Sequence, residues 1–331
     1  MHTINTSNWN IRTDLIIEKD YDNSASKEQI KNKKYTIDRI TTNNKKYTTI
    51  SFEDITDKDN FKEIENTFIN ELKLFLKNIK IKKEEPVLII GLGNSNSTPD
   101  SLGPKTIDNI LVTRHLYTLG EVEDNYQNVA AFKPEVTGVT GIETKDIIYS
   151  LTKTVNAKLI IVIDALASSS IKRVNKTIQI TDSGIAPGSG VGNNREALDK
   201  DNLNVPVIAI GIPTIVDAST IVSDTFEYIK QHFSYQITNQ NDPKIKLIPS
   251  KDQDYSKHQT NLTMDQQEQI LGELGKLTPI DLKKLIDEVL TPIKYNLMVT
   301  PKEIDYLIDK LALLLGNGIN KSLHEHFNPT K

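Results

Sequence analysis

Apolar residues recur along this chain at two spacings. Uninterrupted runs, Val87–Ile90, Leu159–Ile163 and Val207–Ile210, have the pattern of strands buried on both faces, as in a parallel sheet. Residues three and four apart, such as Phe61, Ile64, Phe68, Leu72, Phe75 and Leu76, predict amphipathic helices. A helix is also expected from about Ser101 to Tyr117, over Thr144–Val155, beyond Asp224, and in three pieces near the end, Met264–Gly275, Asp281–Leu290 and Pro301–Leu315. Between Lys31 and Ile55 the pattern alternates around Asn43-Asn44, which predicts a small antiparallel meander. Strands alternating with helices give an α/β class: a mostly parallel twisted sheet flanked by helices.

Two of the strand runs end in chemistry. Val87–Ile90 breaks into Gly91-Leu-Gly93 and reaches Asp100 at a helix start, and Leu159–Ile163 ends in Asp164. In open parallel sheets ligands bind beyond the carboxyl ends of strands, so neighbouring strands would place both aspartates in one crevice. Two carboxylates in one dry site cannot both ionise cheaply, and the pair then offers an acid and a base near neutral pH. On the bland reading Asp100 is a helix cap and Asp164 a turn residue.

Composition narrows the choices. The chain has 331 residues, 37% hydrophobic and 25% charged, with net charge −4 and no cysteine. Thiolate metal sites, disulfides and a cysteine nucleophile are excluded, and the mild acidity gives no footprint for nucleic acid. No run reaches the ~18 apolar residues of a membrane span. The expected location is cytoplasmic, with no cofactor and no metal.

Other motifs are weaker. Gly91-Leu-Gly93-Asn-Ser-Asn96 lacks the third glycine of a dinucleotide fingerprint. Gly188-Ser189-Gly190-Val-Gly192-Asn193 is a glycine-dense loop whose backbone N–H groups could steady an oxyanion, or a loop that simply needs positive φ. His324-Glu-His326 has an i, i+2 spacing that does not present both rings to one ion on a helix. His115, Asp146 and Asp217 suit helix ends, and Glu143 is a candidate supporting residue near the site.

Several longer stretches resemble the germination proteases of endospore-forming bacteria: IRTDL at 11–15, GLGNSNSTPDSLGPKTIDN from Gly91, TGIET at 140–144, IDALA at 163–167, RVNKTIQITDSGIAPGSGVGN at 173–193, VPVIAIGIPTIVDA at 205–218 and NLMVTPKEID at 296–305. The resemblance implies an endopeptidase that degrades small acid-soluble spore proteins at germination in the forespore and spore core. It also implies a self-processing zymogen, a homotetramer, and a fold like that of hydrogenase maturation proteases. The family's two proposed catalytic aspartates fall on Asp100 and Asp164, and its maturation site falls on Asp14–Leu15. Residues 1–14 are then a propeptide and 15–331 a single catalytic domain, with a β insertion at 30–60 and C-terminal helices at 264–326. The chain departs from the family pattern at Glu135, where a glycine is usual, at Ser168-Ser169, where Ala-Arg is common, and at Ile16, where a small residue is expected. The alternative is a catalytically silent member that binds spore proteins.

Overall fold

The computed structural model describes residues 13–19, 24–122, 125–186, 197–239, 241, 262–290, 297–325 and 327. In chain order its elements are β1 (Ser26–Lys31), β2 (Tyr35–Thr42), β3 (Lys45–Phe52), α1 (Lys58–Ile79), β4 (Val87–Gly91), α2 (Leu102–Ile107), α3 (Arg114–Leu119), β5 (Val129–Phe132), α4 (Thr137–Thr140), α5 (Thr144–Val155), β6 (Leu159–Ser168), β7 (Thr177–Thr181), α6 (Lys200–Leu203), β8 (Val207–Asp217), α7 (Ala218–Thr238), α8 (Met264–Leu271), α9 (Pro279–Leu290), β9 (Met298–Val299) and α10 (Ile304–Leu323).

The chain forms two compact units, one from residues 12–215 with 300–331 and one that includes 216–299. The sheet runs β1-β2-β3-β7-β8-β6-β4-β5. It is parallel where β4 meets β5 and β6, and antiparallel through β1, β2, β3, β7 and β8. The α/β class and the flanking helices stand, with parallel pairing around β4 and β6, where Asp100 and Asp164 lie. The N-terminal meander is an extension of the same sheet, because β3 pairs directly with β7. Its tight turn is made by Asn43 and Asn44, both at positive φ, which asparagine tolerates and a two-residue hairpin requires.

Alternation along the strands sorts the core of the larger unit into two layers. Val87, Ile89, Leu159, Ile161 and Ile163 meet Ile64, Phe68 and Leu72 of α1 and Ile308, Leu311 and Leu315 of α10. Leu88, Ile90, Ile160 and Val162 pack with Ile148 and Val155 of α5. Gly318 lets α10 approach α1: a Cβ there would stand 2.4 Å from the Phe68 ring.

Several boundaries differ from the sequence reading, among them that of α7, which spans Ala218–Thr238 rather than starting beyond Asp224. The expected helix over 101–117 is two short helices, because the Thr113 hydroxyl is taken up by the Gln127 carbonyl and the Val129 N–H rather than by a helical turn. Strand β6 continues through Asp164 to Ser168, and β8 continues to Asp217, their small or β-branched residues all sitting comfortably in extended backbone. The last helix begins at Ile304 and runs on to Leu323.

In the second unit α9 packs on α7, and Lys283 Nζ donates to Thr220 Oγ1 at 2.8 Å. Asp217 caps α7 by accepting the Ser219 N–H. No helix among the described residues is long and apolar enough to cross a membrane.

Candidate active site

Strand β4 stops at Gly91, and its continuation is tied to the neighbouring strand by Leu92 N–H donating to the Ile163 carbonyl at 2.8 Å. The next residue along β6 is Asp164. Gly93 then turns with φ +116°, which only glycine adopts readily, and leads through Asn94–Ser97 into the 3₁₀ turn Thr98–Asp100. The Asn94 N–H donates to Asp100 twice, to Oδ2 at 3.0 Å and to the carbonyl at 3.1 Å. The buried Thr214 hydroxyl of β8 holds the same turn through the Pro99 carbonyl at 2.7 Å. The Asp100 turn packs against β6, so both aspartates stand at the carboxyl end of the β4/β6 pair.

Asp164 is 6% exposed and shares the sheet face of Ile160 and Val162. Its Oδ1 accepts the N–H of Ala165 at 2.9 Å, which keeps the carboxylate over its own stretch of strand. It lies within β6 rather than at the strand's end; what ends beside it is β4.

Further along β6 the strand edge is occupied by residues 13–18. The Asp14 N–H donates to the Ala167 carbonyl at 3.0 Å, and the Ala167 N–H donates to Asp14 Oδ2 at 2.9 Å. Leu15 is fully buried. Gln179 of β7 spans the Asp14–Leu15 bond: Nε2 donates to the Asp14 carbonyl at 3.2 Å, and Oε1 accepts the Ile16 N–H at 2.7 Å. Asp14, Ile16, Lys19, Gln179 and Gly184 line a hollow of about 220 Å³.

Glu135 adds a second tie to the Asp100 loop. It sits at φ +59° in the segment after β5, and its carboxylate accepts both the N–H (3.0 Å) and the hydroxyl of Ser95. Glu143 is exposed at the start of α5 and accepts the Thr137 hydroxyl at 3.3 Å. Gly188, Ser189, Gly190 and Asn193 lie outside the described residues. Asp146 and His115 are exposed on α5 and α3. His324 is buried, with Nδ1 accepting the Gln127 N–H at 3.1 Å. Among the described residues no group of three or more His, Asp or Glu could hold a metal ion.

The germination protease family model matches residues 4–331. The chain belongs to the germination protease family. Its relatives include the germination proteases of Priestia megaterium (46% identical, covering 84% of this chain and 78% of the relative), Bacillus subtilis strain 168 (47%, 85% and 78%) and Bacillus cereus strain B4264 (41%, 98% and 96%). Among solved structures, a [NiFe] hydrogenase maturation protease, HycI from Thermococcus kodakarensis KOD1, aligns at 16% identity and TM-score 0.28 over 42% of this chain and 80% of its own.

For a member of this peptidase family, four residues stand out here that the sequence reading did not single out: Glu18, Arg173, Gln179 and Thr214. Gln179 carried a readable signal, since it is the polar residue at the centre of an otherwise apolar and threonine strand, Thr177–Thr181. Glu18 carried none, because all its side chain's partners but Thr13 are about 150 residues away.

Proposed function

We propose that this chain is the endopeptidase that degrades small acid-soluble spore proteins at germination, in the forespore and spore core, made as a homotetrameric zymogen that cuts itself at Asp14–Leu15. The observation that carries the catalytic reading is the placement of Asp100 and Asp164 on adjoining loop and strand beyond the end of β4.

In this reading one aspartate takes a proton from water as it attacks the scissile carbonyl, and the other, protonated, donates to the carbonyl oxygen or the leaving nitrogen. A positioned acid or base contributes about 10²–10⁴-fold each. In this reading neither aspartate is assigned alone as acid or base, because coupled carboxylates titrate as a pair. Asp14 followed by the apolar Leu15 offers an acidic-then-apolar sequence, and family substrates are read as carrying the same pattern at their cleavage sites.

The test is intact-mass analysis of a purified small acid-soluble spore protein incubated with the processed chain, with Asp100→Asn and with Asp164→Asn. The expected result is cleavage after an acidic residue by the parent and loss of turnover by about 10²-fold or more in each variant with the fold retained. Full activity in either variant refutes the pair, and no cleavage by the parent shifts the reading to a silent binder of spore proteins.

A further inference from the structure

The peptide around Asp14–Leu15 is fastened to the end of β6 by one buried carboxylate. The Glu18 side chain is 5% exposed, and it collects donors from three parts of the chain. Ser168 Oγ (2.8 Å) and Arg173 Nε (3.2 Å) reach Oε1; the Ser169 N–H (2.7 Å) and the Thr13 hydroxyl reach Oε2. The same Thr13 oxygen accepts the Leu15 N–H at 3.1 Å. A single hydroxyl therefore separates the Leu15 nitrogen from Glu18 Oε2.

Hydrolysis of the Asp14–Leu15 bond adds one water, leaving a carboxylate on Asp14 and an amine on Leu15. An α-amine with an ordinary pKa near 8 takes a proton at neutral pH. Thr13 departs with its fragment, and Oε2 loses a donor. Asp14, the other acid in this segment, departs too, and its new carboxylate is repelled by Glu18. Leu15 has reasons to stay: its side chain is fully buried, and the Ile16 N–H is held by Gln179.

We propose that the new α-ammonium of Leu15 replaces the Thr13 hydroxyl on Glu18 Oε2, forming a buried ion pair that seats the processed N-terminus against β6. This rests on the self-processing reading above. Among the described residues, the charged group bonded to Glu18 is Arg173, which occupies the other oxygen. A carboxylate so placed favours the charged amine and raises its pKa.

The full chain is allowed to process, intact mass recording the loss of residues 1–14, and the Leu15 amine is then labelled with an amine-reactive reagent across a pH series. The expected result is an apparent pKa at least about one unit above the ordinary value, with labelling roughly ten-fold slower than in a free peptide beginning Leu-Ile-Ile-Glu. Glu18→Gln should label at the peptide's rate. Because that change also removes contacts to Ser168 and Arg173, a second variant inserts one glycine before Leu15, keeping Glu18 and displacing the ammonium; it too should label fast. Peptide-like labelling in the parent, or slow labelling in both variants, overturns the proposal. If no self-processing is seen, that reading fails separately. The pair is then tested by replacing residues 9–14 with a site-specific protease sequence and cutting the folded full chain ahead of Leu15.

Discussion

Replacing Gly93 by alanine should separate the placement of Asp100 from the stability of the fold. An alanine Cβ at this position would stand 1.9 Å from the Asp100 carbonyl oxygen and 3.1 Å from its Oδ1, whereas real contacts under 3.0 Å are essentially never seen. The loop must therefore open by about 1 Å, which breaks the paired Asn94 N–H bonds at 3.0 and 3.1 Å. Backbone strain at φ +116° costs about 1–2 kcal/mol and forced overpacking about 1–3 kcal/mol. The total, roughly 2–5 kcal/mol, leaves a folded protein if its stability lies in the usual range of about 5–15 kcal/mol. A displacement of about 1 Å in a reacting group can lower turnover about 10²-fold. Gly138→Ala is the control: no atom lies within 4 Å of its added methyl, and its φ is not positive. Urea unfolding and spore-protein turnover by intact mass would be measured on both. Gly93→Ala retaining more than about a third of parental turnover would refute the idea that this loop geometry places a reacting Asp100.

Glu135→Gly should relieve about 1 kcal/mol of left-handed backbone strain while losing the two contacts to Ser95, so the unfolding free energy from urea titration should change by less than about 1 kcal/mol in either direction. Turnover should fall several-fold as the Asn94–Ser97 loop loses its tie, and unchanged turnover would show that Glu135 is a bystander. Burial pushes the His324 pKa below its ordinary 6.5, against an opposing contact with the Leu111 backbone. The folded state then resists protonation more than the unfolded state does, so stability present above about pH 6.5 is lost as pH falls towards the folded value. His324→Gln should flatten the fall in thermal midpoint between about pH 7 and 5.5, and an unaltered slope would assign that loss to other groups.

Much of this arrangement could be read from the chain because the signals are local. Apolar runs at Val87–Ile90 and Leu159–Ile163 become neighbouring parallel strands, and the glycine spacing at Gly91 and Gly93 marks where the chain must turn tightly enough to bring the Asp100 carbonyl back against Gly93. Thr144–Val155 is a helix over the expected residues, its apolar period ending at Asn156 in a left-handed cap. What escaped were features set by partners distant in sequence. The end of the apolar run at Ile163 marks Asp164 as a strand end, yet Ala165–Ser168 stay extended, with residues 13–18 bonded along them. The joining of the N-terminal meander to the rest of the sheet comes from β3 pairing with β7, about 130 residues apart, which no local pattern encodes.

The position of residues 13–18 also bears on when the chain can be cut. Asp14 is bonded to Ala167, three residues beyond Asp164, or roughly 10 Å along an extended strand. The Asp164 carboxylate is held over Ala165, while Leu15 is buried and its preceding carbonyl is engaged by Gln179. If the chain cuts itself at this bond with Asp164 in the reacting pair, as proposed, the bond is parked away from that carboxylate and the segment has to lift before hydrolysis. Loosening its anchor should then speed self-processing. Ser168→Ala is suited to the test, since it leaves every residue of the cleavage site in place and removes a hydroxyl that donates to the ionised Glu18 at 2.8 Å. Such a charge-assisted bond contributes about 1.5–3 kcal/mol, and the shared Ser170 acceptor lowers that to about 1–2 kcal/mol, or roughly a 5- to 30-fold faster appearance of the processed mass. A slower rate would mean that the docked arrangement is itself the reactive one. Gln179 Nε2 would then be the group that steadies the developing charge on the Asp14 carbonyl, and the requirement for Asp164 in the self-cut would fall with it.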